Sequence, residues 1–307
     1  MTITSTIEKP AKAALRRAGV KIIAMDIDGT LLDSQSRLSS ENIAAIEAAA
    51  AEGIEIVIVT GRRFHSARYT VDALNCDFSV IASNGGLIKS KDGNTLQRHL
   101  LPVATARRVV ERTEEFRSCA GVIFDRPRER QIVFEKIDWS GPYVGPYLSR
   151  HRDFVAEIAP LTDCLDREDP LEVMFIGECE ILARAAKLLE STDFADEYTL
   201  AQTVYEHRNL SMLDVLRRGV NKGSALEAWA AHRGVARQDV MALGDNWNDR
   251  EMLEYAGLPI VMGNSVPELK TRGWAVTLTN DQNGVAEAIR TYALGTGTAQ
   301  LVREPGK

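Results

Sequence analysis

The sequence predicts an α/β fold: a Rossmann-like core built on a parallel sheet and interrupted by an inserted α+β domain. Short β-branched runs at residues 21–27, 54–59 and 80–82 alternate with helical stretches, the order that builds parallel strands. Near residue 87 this rhythm breaks into shorter strands and a hairpin signal, and near residue 214 it resumes. At 307 residues and 45% hydrophobic content, the chain has material for about two domains.

The first run ends in Asp26 and Asp28, so a buried parallel strand carries carboxylates at its C-terminal end. Ser39 or Ser40 caps a helix whose apolar face includes Ile43, Ala44 and Ile46, and Gly53 closes it. The second strand runs into Thr60-Gly61-Arg62 and the third into Ser83-Asn84-Gly85-Gly86. Residues 87–101 read as a hairpin around Asp92-Gly93-Asn94, followed by a helix over 104–117. Strands at 121–124, 131–136, 171–176 and 199–205, with a helix at 180–190, fill the insertion. The parallel rhythm returns as a helix at 222–232, strand 240–243, helix 249–255, strands 260–262 and 275–279, and a helix at 284–292. The division is therefore a loose leader at 1–20, a core at 21–86 and 214–295, an inserted domain at 87–213 and a flexible tail at 296–307.

A formal charge of −6 argues against nucleic acid as the partner, since neutralising its phosphates needs a basic face. Cys76, Cys119, Cys164 and Cys179 have neither metal-site nor disulfide spacing and read as inert buried thiols. The first twenty residues lack the apolar stretch of a secretory signal, and no apolar run approaches the roughly 20 residues that cross a bilayer. The expectation is a cytoplasmic protein, with no membrane partner.

Four segments fall at predicted strand ends or helix starts, which an open parallel sheet gathers into one crevice. They are Asp26-Ile27-Asp28-Gly29-Thr30-Leu31, Thr60-Gly61-Arg62, Asn221-Lys222-Gly223 and Gly244-Asp245-Asn246-Trp247-Asn248-Asp249. The set, in this order, resembles the haloacid dehalogenase superfamily, in particular its Cof-type phosphatases with a large C2-type cap, over residues 20–292. The insertion lies after the third strand rather than between Asp26 and Thr60, which is the C2 placement.

The resemblance implies a phosphoric monoester hydrolase in which Asp26 is the nucleophile, forming an aspartyl phosphate, and Asp28 the general acid and base. It implies Mg²⁺ as cofactor, held by the side chains of Asp26 and Asp245 and the backbone carbonyl of Asp28, with Asn248 and Asp249 holding metal-bound water or orienting the loop. Four carboxylates in one crevice call for such a hard cation on physical grounds as well. Thr60, Gly61 and Lys222 suit the phosphoryl oxygens as hydroxyl, backbone N–H and positive charge. Arg62 is a candidate contact for substrate or cap, an ion pair within the scaffold being the other reading. Asn84 is a candidate hinge or substrate contact, and Asn264 a tie for the loop beside the metal.

The lid implied by the insertion favours a small phosphorylated metabolite, a sugar phosphate or a nucleotide or flavin phosphate. A charged stretch at 125–130 is a candidate reader of a second anionic group, and Trp139, Tyr143 and Tyr147 mark a kinked loop. The alternatives are a phosphomutase of the same superfamily and a non-catalytic sensor of phosphometabolites.

Overall fold

The computed structural model describes residues 19–297. The leader and tail expected at the ends lie, but for a few residues, outside the described residues. Strands β1 (Ile22–Met25), β2 (Glu55–Val59) and β3 (Ser79–Ala82) begin one sheet, and the hairpin of β4 (Leu87–Ser90) and β5 (Thr95–Arg98) extends it. A second sheet holds β6 (Ala120–Ile123), β7 (Ile132–Phe134), β8 (Val155–Glu157), β9 (Glu172–Gly177), β10 (Tyr198–Tyr205) and β11 (Leu210–Arg217). The chain then returns to the first sheet as β12 (Val240–Gly244), β13 (Leu258–Val261) and β14 (Ala275–Val276).

The first sheet runs β14-β13-β12-β1-β2-β3-β4-β5, parallel from β14 to β3 and antiparallel beyond. Its strands are apolar on both faces, as central parallel strands must be. Ile23, Met25, Ile56 and Ile58 pack on one side, and Ile22, Ala24, Val57 and Val59 on the other. The second sheet runs β10-β11-β9-β6-β7-β8. One face packs on the helices Val103–Arg112 and Cys179–Glu190 through Val122, Val173 and Phe175. The other, with Ile123, Phe134 and Met174, joins the cluster of the first sheet, so this sheet is the cap and its inner face closes on the core.

Several expectations need correction. The hairpin at 87–98 belongs to the core sheet rather than to the insertion, because Leu87 and Ile88 continue its buried surface beside β3. Conversely β11 runs through Arg217, so Asp214 lies within a cap strand and not at the start of the core. The chain crosses between sheets near residues 99–103 and 218–221. The first helix, Ser40–Ala51, buries Asn42, Ala45, Ile46 and Ala49, leaving Ala44 exposed. Of the cysteines only Cys164 is buried, its thiol pushed up to about 12 by burial; the other three are half-buried. No helix among the described residues is long and apolar enough to cross a membrane.

Candidate active site

Asp26 stands where β1 ends and is 5% exposed. The chain then turns over Ile27–Leu31 with Gly29 at φ +82°, a conformation that disfavours any side chain. A Cβ on Gly29 would lie 2.3 Å from Asp245 Oδ2, so glycine also lets the two loops meet. Thr30 Oγ1 donates to Asp245 Oδ1 at 2.9 Å. The helix Lys222–His232 starts with a reciprocal cap: Asn221 accepts from the Ser224 amide at 2.8 Å, and Ser224 Oγ accepts from the Asn221 amide at 3.0 Å. This fixes Lys222, whose Nζ donates to Asp26 Oδ1 at 2.7 Å and to Asp249 Oδ1 at 2.6 Å. Asp249 Oδ2 accepts from the backbone N–H groups of Asp245 at 2.9 Å and Asn246 at 3.0 Å, folding that loop around its carboxylate.

Asp26, Asp245 and Asp249 each bring a carboxylate oxygen within 4.8 Å of the others. Burial pushes the Asp26 carboxyl up to about 7; Lys222 opposes the rise, and Asp249 and Asp28 add to it. Asp245 is raised well above the carboxylate range by burial, then by Asp249 and Asp26. Burial works against the Lys222 charge, but Asp249 and Asp26 outweigh it and hold the ammonium above its ordinary value. Three buried carboxylates around one ammonium leave excess negative charge, which suits a hard divalent cation with oxygen ligands.

Asp28 is outside this group of three but close enough to add to the rise at Asp26. Arg62 grips Asp28 with Nε on Oδ2 at 2.7 Å and Nη2 on Oδ1 at 2.6 Å, and a third bond runs from Nη1 to Thr70 Oγ1 at 2.6 Å. Of the two readings of Arg62, the structure has the ion pair. Thr60, 1% exposed, accepts the Arg62 amide on its hydroxyl at 3.1 Å. Gly61 faces the Asn84 carboxamide so closely that a Cβ would lie 3.1 Å from it. Asn248 Nδ2 donates to Asn84 Oδ1 at 3.1 Å. Asn264 Nδ2 donates to the Gly29 carbonyl at 2.7 Å, and its Oδ1 accepts from the Asn280 amide at 2.9 Å.

Two residues near this centre escaped the sequence reading. Tyr205, at the end of β10, is half-buried, and its phenol is raised well above the usual range by desolvation, then by Asp28, Asp26 and Asp245, so the cap puts a ring beside the carboxylates. Its strand end is anchored by Asn246 Nδ2 donating to the Val204 carbonyl at 3.2 Å. Asp214 accepts from Asn84 Nδ2 at 2.8 Å. A cavity of about 240 Å³ lies between β10 and the core, lined by Gln202, Lys222, Trp247, Asn248 and others. The charged stretch 125–130 is engaged in ion pairs: Asp125 with Lys89 at 2.9 Å and Arg98 at 2.7 Å, Arg126 with Glu168, and Arg128 with Asp153.

Residues 23–289 match the family described as haloacid dehalogenase-like hydrolase. A 5-amino-6-(5-phospho-D-ribitylamino)uracil phosphatase of Bacillus subtilis is 30% identical over 300 residues, covering 87% of this chain and 96% of the relative. An HMP-PP phosphatase of Citrobacter koseri is 30% identical over 257 residues, covering 81% and 86%. The solved structure of a haloacid dehalogenase-like hydrolase from B. subtilis superposes with a TM-score of 0.73 at 26% identity, covering 88% of this chain and 99% of that one. The matched span takes in both sheets and all four motifs, and the chain belongs to the haloacid dehalogenase-like hydrolase family.

Proposed function

We propose that this protein is a phosphatase acting on a small phosphorylated metabolite, with Asp26 as nucleophile. The observation that carries the reading is the pairing of a buried carboxylate at a strand end with a buried lysine, inside a cluster of three carboxylates. An Asp26 oxygen attacks phosphorus while the bond to the leaving oxygen breaks, and Asp28 gives that oxygen a proton. Asp28 then takes a proton from the water that attacks the phosphoryl group, which leaves as inorganic phosphate and restores Asp26. Lys222, the Thr60 hydroxyl and the Gly61 N–H stabilise charge on the phosphoryl oxygens.

The carboxylates of Asp26 and Asp245 would hold Mg²⁺, with Asp249 adjacent and the Asp28 carbonyl completing the protein's share. When bound, the ion neutralises charge on the transferring phosphoryl group. Arg62 holds both Asp28 oxygens, so acid catalysis requires this pair to loosen when substrate enters. The substrate class is a sugar phosphate or a nucleotide or flavin phosphate, in keeping with the small phosphorylated compounds named for the relatives.

The test is inorganic phosphate release from a panel of such esters, with and without Mg²⁺, for the wild type and Asp26→Asn. Release that requires both supports the proposal. Binding without release, with a sugar bisphosphate switching on interconversion of the sugar monophosphates, would make the protein a phosphomutase; binding with neither release nor interconversion would make it a sensor.

A further inference from the structure

The turn Ser83–Gly85 joins three catalytic motifs to the cap. Three successive residues take left-handed backbone there, Ser83 at φ +48°, Asn84 at +48° and Gly85 at +108°, and the first two have side chains that disfavour it. The surroundings hold this shape. The Ser83 amide donates to the Arg62 carbonyl at 2.9 Å and the Asn84 amide to the Thr60 carbonyl at 3.1 Å, docking the turn on the Thr60-Gly61-Arg62 segment. Gly85 abuts the Asn221 carbonyl, where a Cβ would come within 2.5 Å, so the turn also touches the start of the lysine helix.

The Asn84 side chain, 1% exposed, supplies the remaining links. Its Nδ2 donates to Asp214 Oδ2 at 2.8 Å, and its Oδ1 accepts from Asn248 Nδ2 at 3.1 Å. Asp214 Oδ2 accepts from the carboxamide nitrogen, so this pair sets which way the carboxamide lies: nitrogen toward the cap, oxygen toward Asn248. Asp214 is on β11 of the cap, whereas Asn248 is in the loop that carries Asp245 and Asp249.

We propose that Asp214 is a positioning residue: from the cap it orients Asn84, and through Asn84 it holds Asn248 and the loop of residues 244–249 in register with Asp26. Seating of the cap and order in the carboxylate loop are thereby coupled. The kinetic part of this proposal rests on the phosphatase reading; the structural part does not.

Hydrogen exchange on the whole protein tests the coupling without reference to activity. Asp214→Ala is expected to speed exchange in residues 244–249 by about tenfold or more while leaving β1 and β13 unchanged. Asp214→Asn, which still presents an acceptor to Asn84, is expected to stay near the wild type. In phosphate release, Asp214→Ala lowers kcat rather than raising KM, and combining it with Asn84→Ala costs no more than Asn84→Ala alone. Unchanged exchange in Asp214→Ala, loosening spread over β1 and β13, no recovery in Asp214→Asn, or kinetic losses that multiply would each overturn the proposal. A wild type inert toward every phosphate ester removes the phosphatase reading instead, and the exchange result still decides the coupling.

Discussion

Arg62 holds Asp28 by two parallel hydrogen bonds of 2.6 and 2.7 Å, the bidentate geometry that makes guanidinium–carboxylate pairs strong. The pair is part-exposed, with Arg62 side-chain accessibility of 26% and Asp28 of 36%, so it can exchange with solvent or substrate. Removing Asp28 as acid by Asp28→Asn is expected to lower kcat on alkyl phosphates by about 10²-fold or more. Arg62→Ala, which frees Asp28 without removing it, is expected to cost less. Both losses should shrink on a nitrophenyl phosphate, whose leaving group departs without a proton. Equal losses on the two ester types, measured in steady-state kinetics, would count against Asp28 as the acid.

Lys222 is 1% exposed and balances Asp26 and Asp249 at once. Lys222→Met leaves both carboxylates buried without a counter-charge, a change expected to cost about 3–5 kcal/mol in urea unfolding without divalent metal. Mg²⁺ should return part of that loss, because the ion takes over the neutralisation, yet phosphatase activity should stay absent. A variant as stable as the wild type in chelator would mean that the carboxylates are not held charged by this lysine.

The buried carboxyls make stability depend on pH. Asp26 and Asp214 are both pushed up to about 7 by burial, with Lys222 opposing the rise in each and Asn84 also opposing it at Asp214. Glu172 is raised well above its ordinary value by burial and by Asp214, against the pull of Ser83 and Arg63. A carboxyl whose folded pKa exceeds its unfolded one binds its proton more tightly when folded. Its stabilisation is complete below the ordinary carboxylate range and is lost as pH rises through the folded value. The metal-free protein should therefore lose melting temperature between about pH 4 and about pH 7 in calorimetry. Asp214→Asn should flatten part of that slope, and Mg²⁺ the part due to Asp26 and Asp245.

Gly29 is required twice, for its φ of +82° and for the 2.3 Å gap its missing Cβ leaves at Asp245. Gly29→Ala is expected to lose about 1–2 kcal/mol from backbone strain alone. Because Asp245 must move aside, activity should fall further than that loss of stability explains. Kinetics at a temperature where the variant remains folded separate the two effects.

The helix Lys222–His232 begins where the sequence places it, since Asn221 and Ser224 form a local cap that needs no tertiary information. The strand ends bearing Asp26, Thr60 and Asp245 were legible for a similar reason: buried parallel strands are unbroken apolar runs, and polar residues mark their exits. Distant pairings were not legible. Asp214 falls where the sequence pattern returns to the core, with no strand identified there, and its partner Asn84 is 130 residues away. The Asp28–Arg62 pair spans 34 residues, and nothing in either motif names the other. The alanine-rich helix offered too little contrast to fix its face; Asn42 settles it by donating to the Leu31 carbonyl and accepting from the Ala286 amide. The hairpin at 87–98 has the same local turn chemistry in either sheet, so only burial of Leu87 and Ile88 against β3 assigns it to the core.

In the proposed reaction Asp26 itself takes the phosphoryl group. Rapid acid quenching of the enzyme during turnover, followed by peptide mass analysis, reads this directly. The expected result is the mass of one phosphoryl group on the peptide containing Asp26, absent in Asp26→Asn and before substrate is added. Phosphate release that proceeds with no phosphoryl group on that peptide, and that survives in Asp26→Asn, would contradict it.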